Sequence, residues 1–263
     1  MRVRFAFVLA ALAAAAVLAT LHPGPATVSL RSVRQLWSDS LRDADQPGMR
    51  LTRLSDSEEM RLPPPPLVRG IHWADAPDAL ARVIAVAQPM LPHVRRRGIA
   101  WRFHIIAAPL PNAFALPGGQ LVVTTGMMDF VRSDSELAEV LGHEIAHIDL
   151  RHAVERYQYQ YRLGGLVELA HRLATMPFSA DQELDADAEG LRLAIAGGYD
   201  PAAAPVLFTR MQREFPEPAS PHADTPAGEF AQSLGGAIAS YFRTHPPSDE
   251  RARRLAALAQ RRN

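Results

Sequence analysis

Apolar residues recur every three or four positions through most of the second half of the chain and alternate with polar ones only in a short central stretch. From the helical spacing we predict helices over 76–94, 134–152, 159–175, 180–196, 201–213, 226–243 and 248–261. From the alternation and the turn residues at 117–119 we predict strands over 101–107, 112–116 and 121–125. Strands that precede a run of helices indicate an α+β fold, mainly helical with a small antiparallel sheet.

The first 26 residues have a different pattern from the rest of the chain. Arg2 and Arg4 precede an uncharged run at 5–21, and helix-breaking residues follow at 22–25. A basic flank before an apolar run is typical of a secretory signal, and the run is also just long enough to span a bilayer. We therefore predict that 1–26 is a signal peptide or an N-terminal membrane anchor and that the rest is exported.

Residues 27–70 are interpreted as a leader that is first helical and then proline-rich. Ser55 and Glu58 have the spacing of a helix capping box, whereas four consecutive prolines at 63–66 cannot continue a helix. We expect this leader to pack on, or tether, a domain at 71–263. A floppy linker is the alternative, because the stretch is polar.

Composition narrows the chemistry that the chain can perform. The 28 basic and 28 acidic residues give a formal net charge of zero, so no global field favours nucleic acid. The chain contains no Cys, which excludes thiol chemistry and cysteine-based zinc sites. A zinc site in this protein must therefore use His and carboxylate ligands.

His143 and His147 provide such ligands on one predicted helix. They lie about 40° apart around the helix axis and one turn apart along it, so both imidazoles can reach one ion. Glu144 is rotated by about 60–100° from the pair, which keeps it off the metal but close to a water bound there. This is the arrangement that a general base requires. A water-facing histidine pair is the alternative.

The helix predicted over 180–196 offers further carboxylates. Glu183 and Asp187 lie one turn apart on one face, and Glu183 is a candidate third metal ligand with the fourth position left to water. Asp187 is a candidate hydrogen-bond acceptor for a ligand imidazole. Because Asp181 and Asp185 lie nearby, a solvated acidic face is the competing interpretation, and spacing alone does not decide between them.

Several segments together resemble one known family. The chain is similar to the M48 metallopeptidases in His143-Glu144-x-x-His147, Glu183-Leu184-Asp185-Ala186-Asp187, Asn112–Gly119, Gly198-Tyr199-Asp200-Pro201 and Thr244-His245-Pro246-Pro247-Ser248. The similarity spans roughly residues 76–261 in the same order. It implies a zincin-like (gluzincin) domain that holds one zinc ion per chain.

The resemblance also implies residue roles. His143, His147 and Glu183 are expected to be the zinc ligands, Glu144 the catalytic base, and Asp187 a partner of a ligand imidazole. We expect the hairpin that begins at Asn112 to hold an extended substrate by main-chain pairing.

The roles of His245 and Arg251, near the C-terminus, have several interpretations. His245 is expected to donate to the oxyanion, to act as a fourth ligand that holds the enzyme off, or to be a plain surface histidine. Arg251 is expected to steady the loop that carries His245 or to contact substrate. His104, His152 and His171 are interpreted as ordinary, with His152 pointing away from the metal pair.

The function expected from this resemblance is hydrolysis of internal peptide bonds in misfolded or unassembled envelope proteins, as part of protein quality control. The expected location is the periplasm of a Gram-negative bacterium, or the periplasmic face of its inner membrane, with membrane association through 5–21. Two alternatives stay open: a chaperone-like client-binding protein with a zinc site and little turnover, and a hydrolase of non-peptide substrates.

Overall fold

The computed structural model describes residues 54–62, 73–155, 178–214, 245 and 249–260. All of them belong to one compact unit, Gly48–Asn263. The predicted signal or anchor, the four prolines, His171 and the helices predicted over 159–175 and 226–243 lie outside the described residues. Within the described residues, no helix combines the length and apolar content needed to cross a membrane.

The described secondary structure follows the predicted order of strands before helices. The helices are α1 (Asp56–Met60), α2 (Pro77–Ala87), α3 (Thr125–Phe130), α4 (Asp134–Asp149), α5 (Ala180–Ala196), α6 (Ala203–Glu214) and α7 (Asp249–Gln260), with a 3-10 turn at Leu91–His93. The strands are β1 (Arg102–Ile106), β2 (Ala113–Leu116) and β3 (Gln120–Thr124). The prediction of one helix over 76–94 joined α2 and the 3-10 turn, and α3 was not predicted.

The sheet is mixed, so the prediction of an antiparallel sheet was wrong. β3 lies in the centre, pairing in parallel with β1 and antiparallel with β2. After β1 the chain passes to the far side of β3 before β2 begins, which leaves the central place for β3. The nearly unbroken apolar run of β3, buried over 121–124, suits a central strand covered on both faces.

Helix α4 occupies the centre of the domain. It contacts α2, α5 and α6 and strands β2 and β3, and nearly every one of its residues is buried. The Ser133 hydroxyl accepts the backbone N–H of Glu136 and so caps the start of α4. α5 packs along α4 and begins at a complete capping box formed by Ser179 and Gln182. These two caps fix where the two helices begin.

Candidate metal centre

Helices α4 and α5 bring three predicted ligands to one point in the interior. His143 and His147 lie one turn apart on α4, and Glu183 lies in the first turn of α5. His245 reaches the same point from the C-terminal part of the chain. One ligand atom from each of these four buried residues lies within 4.8 Å of the other three.

The separations between the ligand atoms fit a small cation. Nε2 of His143 is 3.0 Å from Nε2 of His147 and 3.1 Å from Nδ1 of His245. Oε1 of Glu183 is 3.0 Å from Nδ1 of His245 and 3.5 Å from Nε2 of His147. A tetrahedral zinc ion with bonds near 2.0–2.1 Å separates its ligand atoms by about 3.3–3.4 Å. The donor set, imidazoles and a carboxylate, is also the one that zinc prefers in the absence of Cys.

The local charge favours a divalent cation as well. Glu144, Glu183 and Asp187 are three buried carboxylates, and the buried guanidinium of Arg251 pairs with Glu183 and Asp187. With neutral imidazoles this group carries two net negative charges. Since uncompensated buried charge is strongly unfavourable, a bound divalent cation would balance the charge of this group.

Asp187 holds the ring of His143 from behind. Its Oδ1 is 3.0 Å from Nδ1 of His143, so Nδ1–H donates to Asp187 and the lone pair on Nε2 faces the other ligands. Arg251 in turn donates to both oxygens of Asp187, at 2.7 and 2.8 Å. Its Nη1 is 2.7 Å from Oε2 of Glu183. The guanidinium therefore links Glu183 and Asp187, one turn apart on α5.

The pKa values of these groups reflect the same contacts. Burial raises the pKa of Glu183, but the positive charges of His245 and Arg251 outweigh it and hold the pKa well below its usual range. Burial likewise raises the pKa of Asp187, and Arg251 again outweighs it, so that the pKa is lowered. In the metal-free protein burial lowers the pKa of His143, but its bonds to Asp187 and Glu183 outweigh this effect and raise the pKa to about 10. These contacts therefore stabilise a positive charge on His143, whereas burial holds the pKa of His147 well below its usual value.

Glu144 is fully buried beside the ligand group. Its Oε1 lies 3.2 Å from Nε2 of His245. Burial raises the pKa of Glu144, while positive charge at His245 and His143 and the backbone N–H of Ala115 act in the opposite direction. A raised pKa suits a carboxylate that must take up a proton near neutral pH.

His147 has two neighbours that sequence reasoning missed. Its Nδ1 is 3.0 Å from Nδ1 of His152, and Phe178 stacks on its ring with centroids 3.8 Å apart and planes 16° apart. The prediction that His152 points away was wrong. The prediction extended the helical wheel past Asp149, where α4 ends, whereas the chain leaves the helix in a turn at Arg151, whose φ is 70°.

Arg251, Asn112 and His104 are the remaining residues with an expectation from the sequence. Arg251 pairs with Glu183 and Asp187 of α5. The two roles expected for it were to steady the loop that carries His245 and to contact substrate, and neither included these ion pairs. Asn112 is buried at the entrance to β2, where its backbone pairs with Thr124 and its side chain is not part of the ligand group. His104 lies on β1 beside Trp73, in keeping with its interpretation as ordinary.

Comparison with known proteins gives a consistent set of similarities. The model of peptidase family M48 matches residues 77–169 and 162–259. The mitochondrial metalloendopeptidase OMA1 of Arabidopsis thaliana is 33% identical over 173 residues, 60% of this chain and 32% of the relative. The same-named protein of Schizosaccharomyces pombe is 32% identical over 191 residues, 67% of this chain and 50% of the relative.

A bacterial relative matches a shorter region. The putative beta-barrel assembly-enhancing protease of Vibrio cholerae is 32% identical over 129 residues, which is 40% of this chain and 27% of the relative. The chain therefore spans half or less of the length of these three relatives.

Proposed function

Because this chain belongs to peptidase family M48, we propose that it is a zinc-dependent endopeptidase. The observation that carries the proposal is the convergence of His143, His147 and Glu183 on one point, with Glu144 buried beside them. His143, His147 and Glu183 are proposed to hold the ion. Zinc in such a site supplies Lewis acidity and lowers the pKa of water.

The chain's own residues are proposed to handle the proton. A water molecule attacks the carbonyl carbon of the scissile peptide bond through its oxygen, and Glu144 accepts the proton that this water loses. Glu144 then returns that proton to the departing amide nitrogen as the C–N bond breaks. Asp187 keeps the proton of His143 on Nδ1 throughout, so that Nε2 stays available as a ligand.

The free side of β2 is proposed to hold the substrate. Within the described residues β2 pairs with β3 alone. Thr124 N–H donates to the carbonyl of Asn112, and hydrogen-bonded pairs alternate along an antiparallel ladder. Ala113 and Ala115 therefore turn their backbone groups away from β3, and the N–H of Ala115 lies near Glu144. An extended peptide that paired with this edge would lie beside the general base.

His245 is proposed to occupy the fourth ligand position in the state described here. Its Nδ1 lies between Nε2 of His143 and Oε1 of Glu183, and its Nε2 faces Glu144. Its side chain is fully buried. This placement supports the role of a ligand that holds the enzyme off, because it puts the imidazole where the reacting water must be.

We also propose a location and a class of substrates. The basic and then apolar pattern of 1–26 supports export, with 5–21 as a membrane contact, to the periplasm of a Gram-negative bacterium. The name of the Vibrio cholerae relative supports envelope proteins as substrates. We propose misfolded or unassembled ones, in protein quality control, because an edge strand recognises extended backbone.

The test of the proposed activity compares the wild-type chain with Glu144→Gln on unfolded casein. We expect chelator-sensitive cleavage by the wild type and a loss of about 100-fold or more in the variant, because the proton acceptor is gone. The variant is expected to retain its zinc. Retained casein binding without cleavage by the wild type, by Glu144→Gln or by a His245→Ala variant would instead identify a client-binding module. Turnover of small esters alone would identify another class of hydrolase.

A further inference from the structure

The leader contributes a buried carboxylate to the domain. Glu59 lies on α1, a five-residue helix capped by Ser55, and its side chain is fully buried. Oε1 of Glu59 accepts the backbone N–H of Gly118 at 2.9 Å. Oε2 accepts a hydrogen bond from Nη2 of Arg96. Both oxygens of this carboxylate are therefore bound to the domain that follows the leader.

Arg96 connects Glu59 to the end of the helix that carries the histidines. Its Nη1 donates to the carbonyl of Ile148, the residue after His147, at 2.7 Å. Its backbone N–H donates to Asp149, the last residue of α4, at 2.8 Å. Nε and Nη2 of the same side chain also bind Asp56 on α1. The guanidinium is thus shared between α1 and the end of α4.

Gly118 is the turn between β2 and β3, two residues beyond the end of β2. Its φ is +78°, and a Cβ at this position would meet Cα of Met60 at 3.3 Å. On the other side of the turn, a Cβ on Gly119 would meet the carbonyl oxygen of Ala100 at 2.6 Å. The turn is therefore confined between α1 and residues 99–100.

We propose that Glu59 is a positioning residue for substrate binding. Through Gly118 it fixes the turn that ends β2, and through Arg96 it fixes the same turn relative to α4. The distance between the edge of β2 and the metal helix thereby depends on a helix from the leader. α1 is then part of the catalytic unit rather than of a linker. This inference rests on the proposed function for its kinetic consequence, but its structural consequence is independent of activity.

The test uses the full chain with Glu59→Ala and Glu59→Gln. Glu59→Gln keeps an oxygen for the N–H of Gly118 and loses the charge that binds Arg96, so it is the milder change. Glu58→Gln is the matched control, because Glu58 is exposed on the same helix and, among the described residues, its carboxylate hydrogen-bonds to the N-cap residue Ser55. Zinc content is measured for every protein, so that a displaced edge strand is separated from a damaged metal site.

The kinetic arm measures KM and kcat on an extended peptide. We expect Glu59→Ala to raise KM about fivefold or more with kcat within about twofold, since a misplaced edge weakens ground-state and transition-state binding equally. Glu59→Gln is expected to show a smaller rise and Glu58→Gln none. Unchanged KM in Glu59→Ala, or a fall in kcat alone, overturns the inference.

The second arm measures amide hydrogen exchange, which needs no activity. We expect the amides of Gly118 and of residues 120–124 to exchange about tenfold faster or more in Glu59→Ala, and those in the middle of α4 to be unchanged. Unchanged exchange at the hairpin overturns the inference even if cleavage is normal. If neither the wild type nor His245→Ala, whose fourth ligand position is open, cleaves the peptide, the proposed function fails, and this arm still decides the role of Glu59. If Glu59→Ala does not fold, Glu59→Gln decides both arms.

Discussion

Gly142 and Gly190 meet backbone to backbone where α4 crosses α5. A Cβ built on Gly190 would lie 2.7 Å from the backbone nitrogen of His143, and one on Gly142 would lie 2.7 Å from the carbonyl oxygen of Gly190. Neither helix has room for a methyl group at this point. The close crossing sets the distance between the two histidines of α4 and the carboxylate of Glu183.

Gly190→Ala is therefore expected to weaken the metal site. Helix propensity alone favours Ala over Gly by about 1 kcal/mol. Forcing a methyl group into backbone contacts costs about 1–3 kcal/mol, and the helices must separate to relieve it. We expect a lower Tm and a zinc affinity reduced about tenfold or more, measured by competition with a chelator.

Ala188→Gly is the control for this prediction. Ala188 is exposed on the same helix, so the change costs about 1 kcal/mol of propensity without touching α4. Its zinc affinity is expected to match that of the wild type. Wild-type zinc affinity in Gly190→Ala contradicts the idea that the crossing distance controls the site.

Arg251→Met is expected to destabilise the metal-free protein. The guanidinium is the buried partner of both Asp187 and Glu183, and removing one side of a buried ion pair typically costs about 3–5 kcal/mol. Urea unfolding in the presence of a chelator measures the loss. Arg254→Met is the control on the same helix, since Arg254 pairs with Glu250 at the surface and is expected to change nothing measurable. Equal unfolding midpoints for the two variants would refute this account of Arg251.

His245→Ala is expected to raise the rate of peptide cleavage. The substitution opens the fourth ligand position and frees Glu144 from the imidazole that faces it at 3.2 Å. Initial rates on unfolded casein, compared at equal zinc content, test this. A decreased rate with zinc retained points instead to the oxyanion role, because losing one oxyanion donor lowers kcat by about 100-fold or more.

The raised pKa of Glu139 predicts that the protein loses stability as the pH rises from 4.5 to about 8. Its Oε1 has no hydrogen-bond partner among the described residues, and burial, followed by the charge of Asp187, raises its pKa to about 8 from 4.5. The folded state therefore keeps a proton that the unfolded state releases. The stability associated with this group is complete below pH 4.5 and is lost progressively as the pH rises to about 8. The free energy of unfolding of the metal-free protein should fall less over this range in Glu139→Gln than in the wild type.

Glu136 on the same helix provides the opposite case. Burial raises its pKa, but two hydrogen bonds from Arg210 outweigh this effect and lower it. Its contribution is present above the unfolded pKa and is lost as the pH falls through the lower, folded one. Glu136→Gln is therefore expected to destabilise the protein at neutral pH and to reduce its sensitivity to acid.

For the earlier prediction on Glu139, parallel profiles of unfolding free energy against pH for Glu139→Gln and the wild type would contradict the assignment.

Local sequence signals predicted the main elements of the site well. Ser133 and Ser179 are side chains that cap a helix start, and capping depends on neighbouring residues only, so α4 and α5 begin where the sequence indicates. The histidine spacing on α4 also follows from helix geometry alone. The position of Glu183 beside the two histidines could not be predicted from local signals, because it depends on the crossing of α4 and α5 at Gly142 and Gly190, which are far apart in the sequence.

Long-range relationships account for what was missed. The neighbour of β1 depends on which side of β3 the chain passes, and no local pattern encodes that choice. His152 contacts His147 after a turn at Arg151, where a residue other than Gly takes a positive φ. No local pattern predicted a buried position for Glu59, because a charged residue is rarely buried without partners and its partner Arg96 lies 37 residues away.

The most direct test of the account is the zinc content of the purified chain and of three variants, His143→Ala, His147→Ala and Glu183→Ala. We expect about one zinc ion per wild-type chain and loss of the ion in each variant, because each one removes a ligand of the His₂Glu set, and His245 is a ligand only in the inhibited state. His104→Ala, which removes an imidazole outside the group, is expected to keep it. A wild-type chain without zinc, or a Glu183→Ala variant that binds it as tightly as the wild type, contradicts the account.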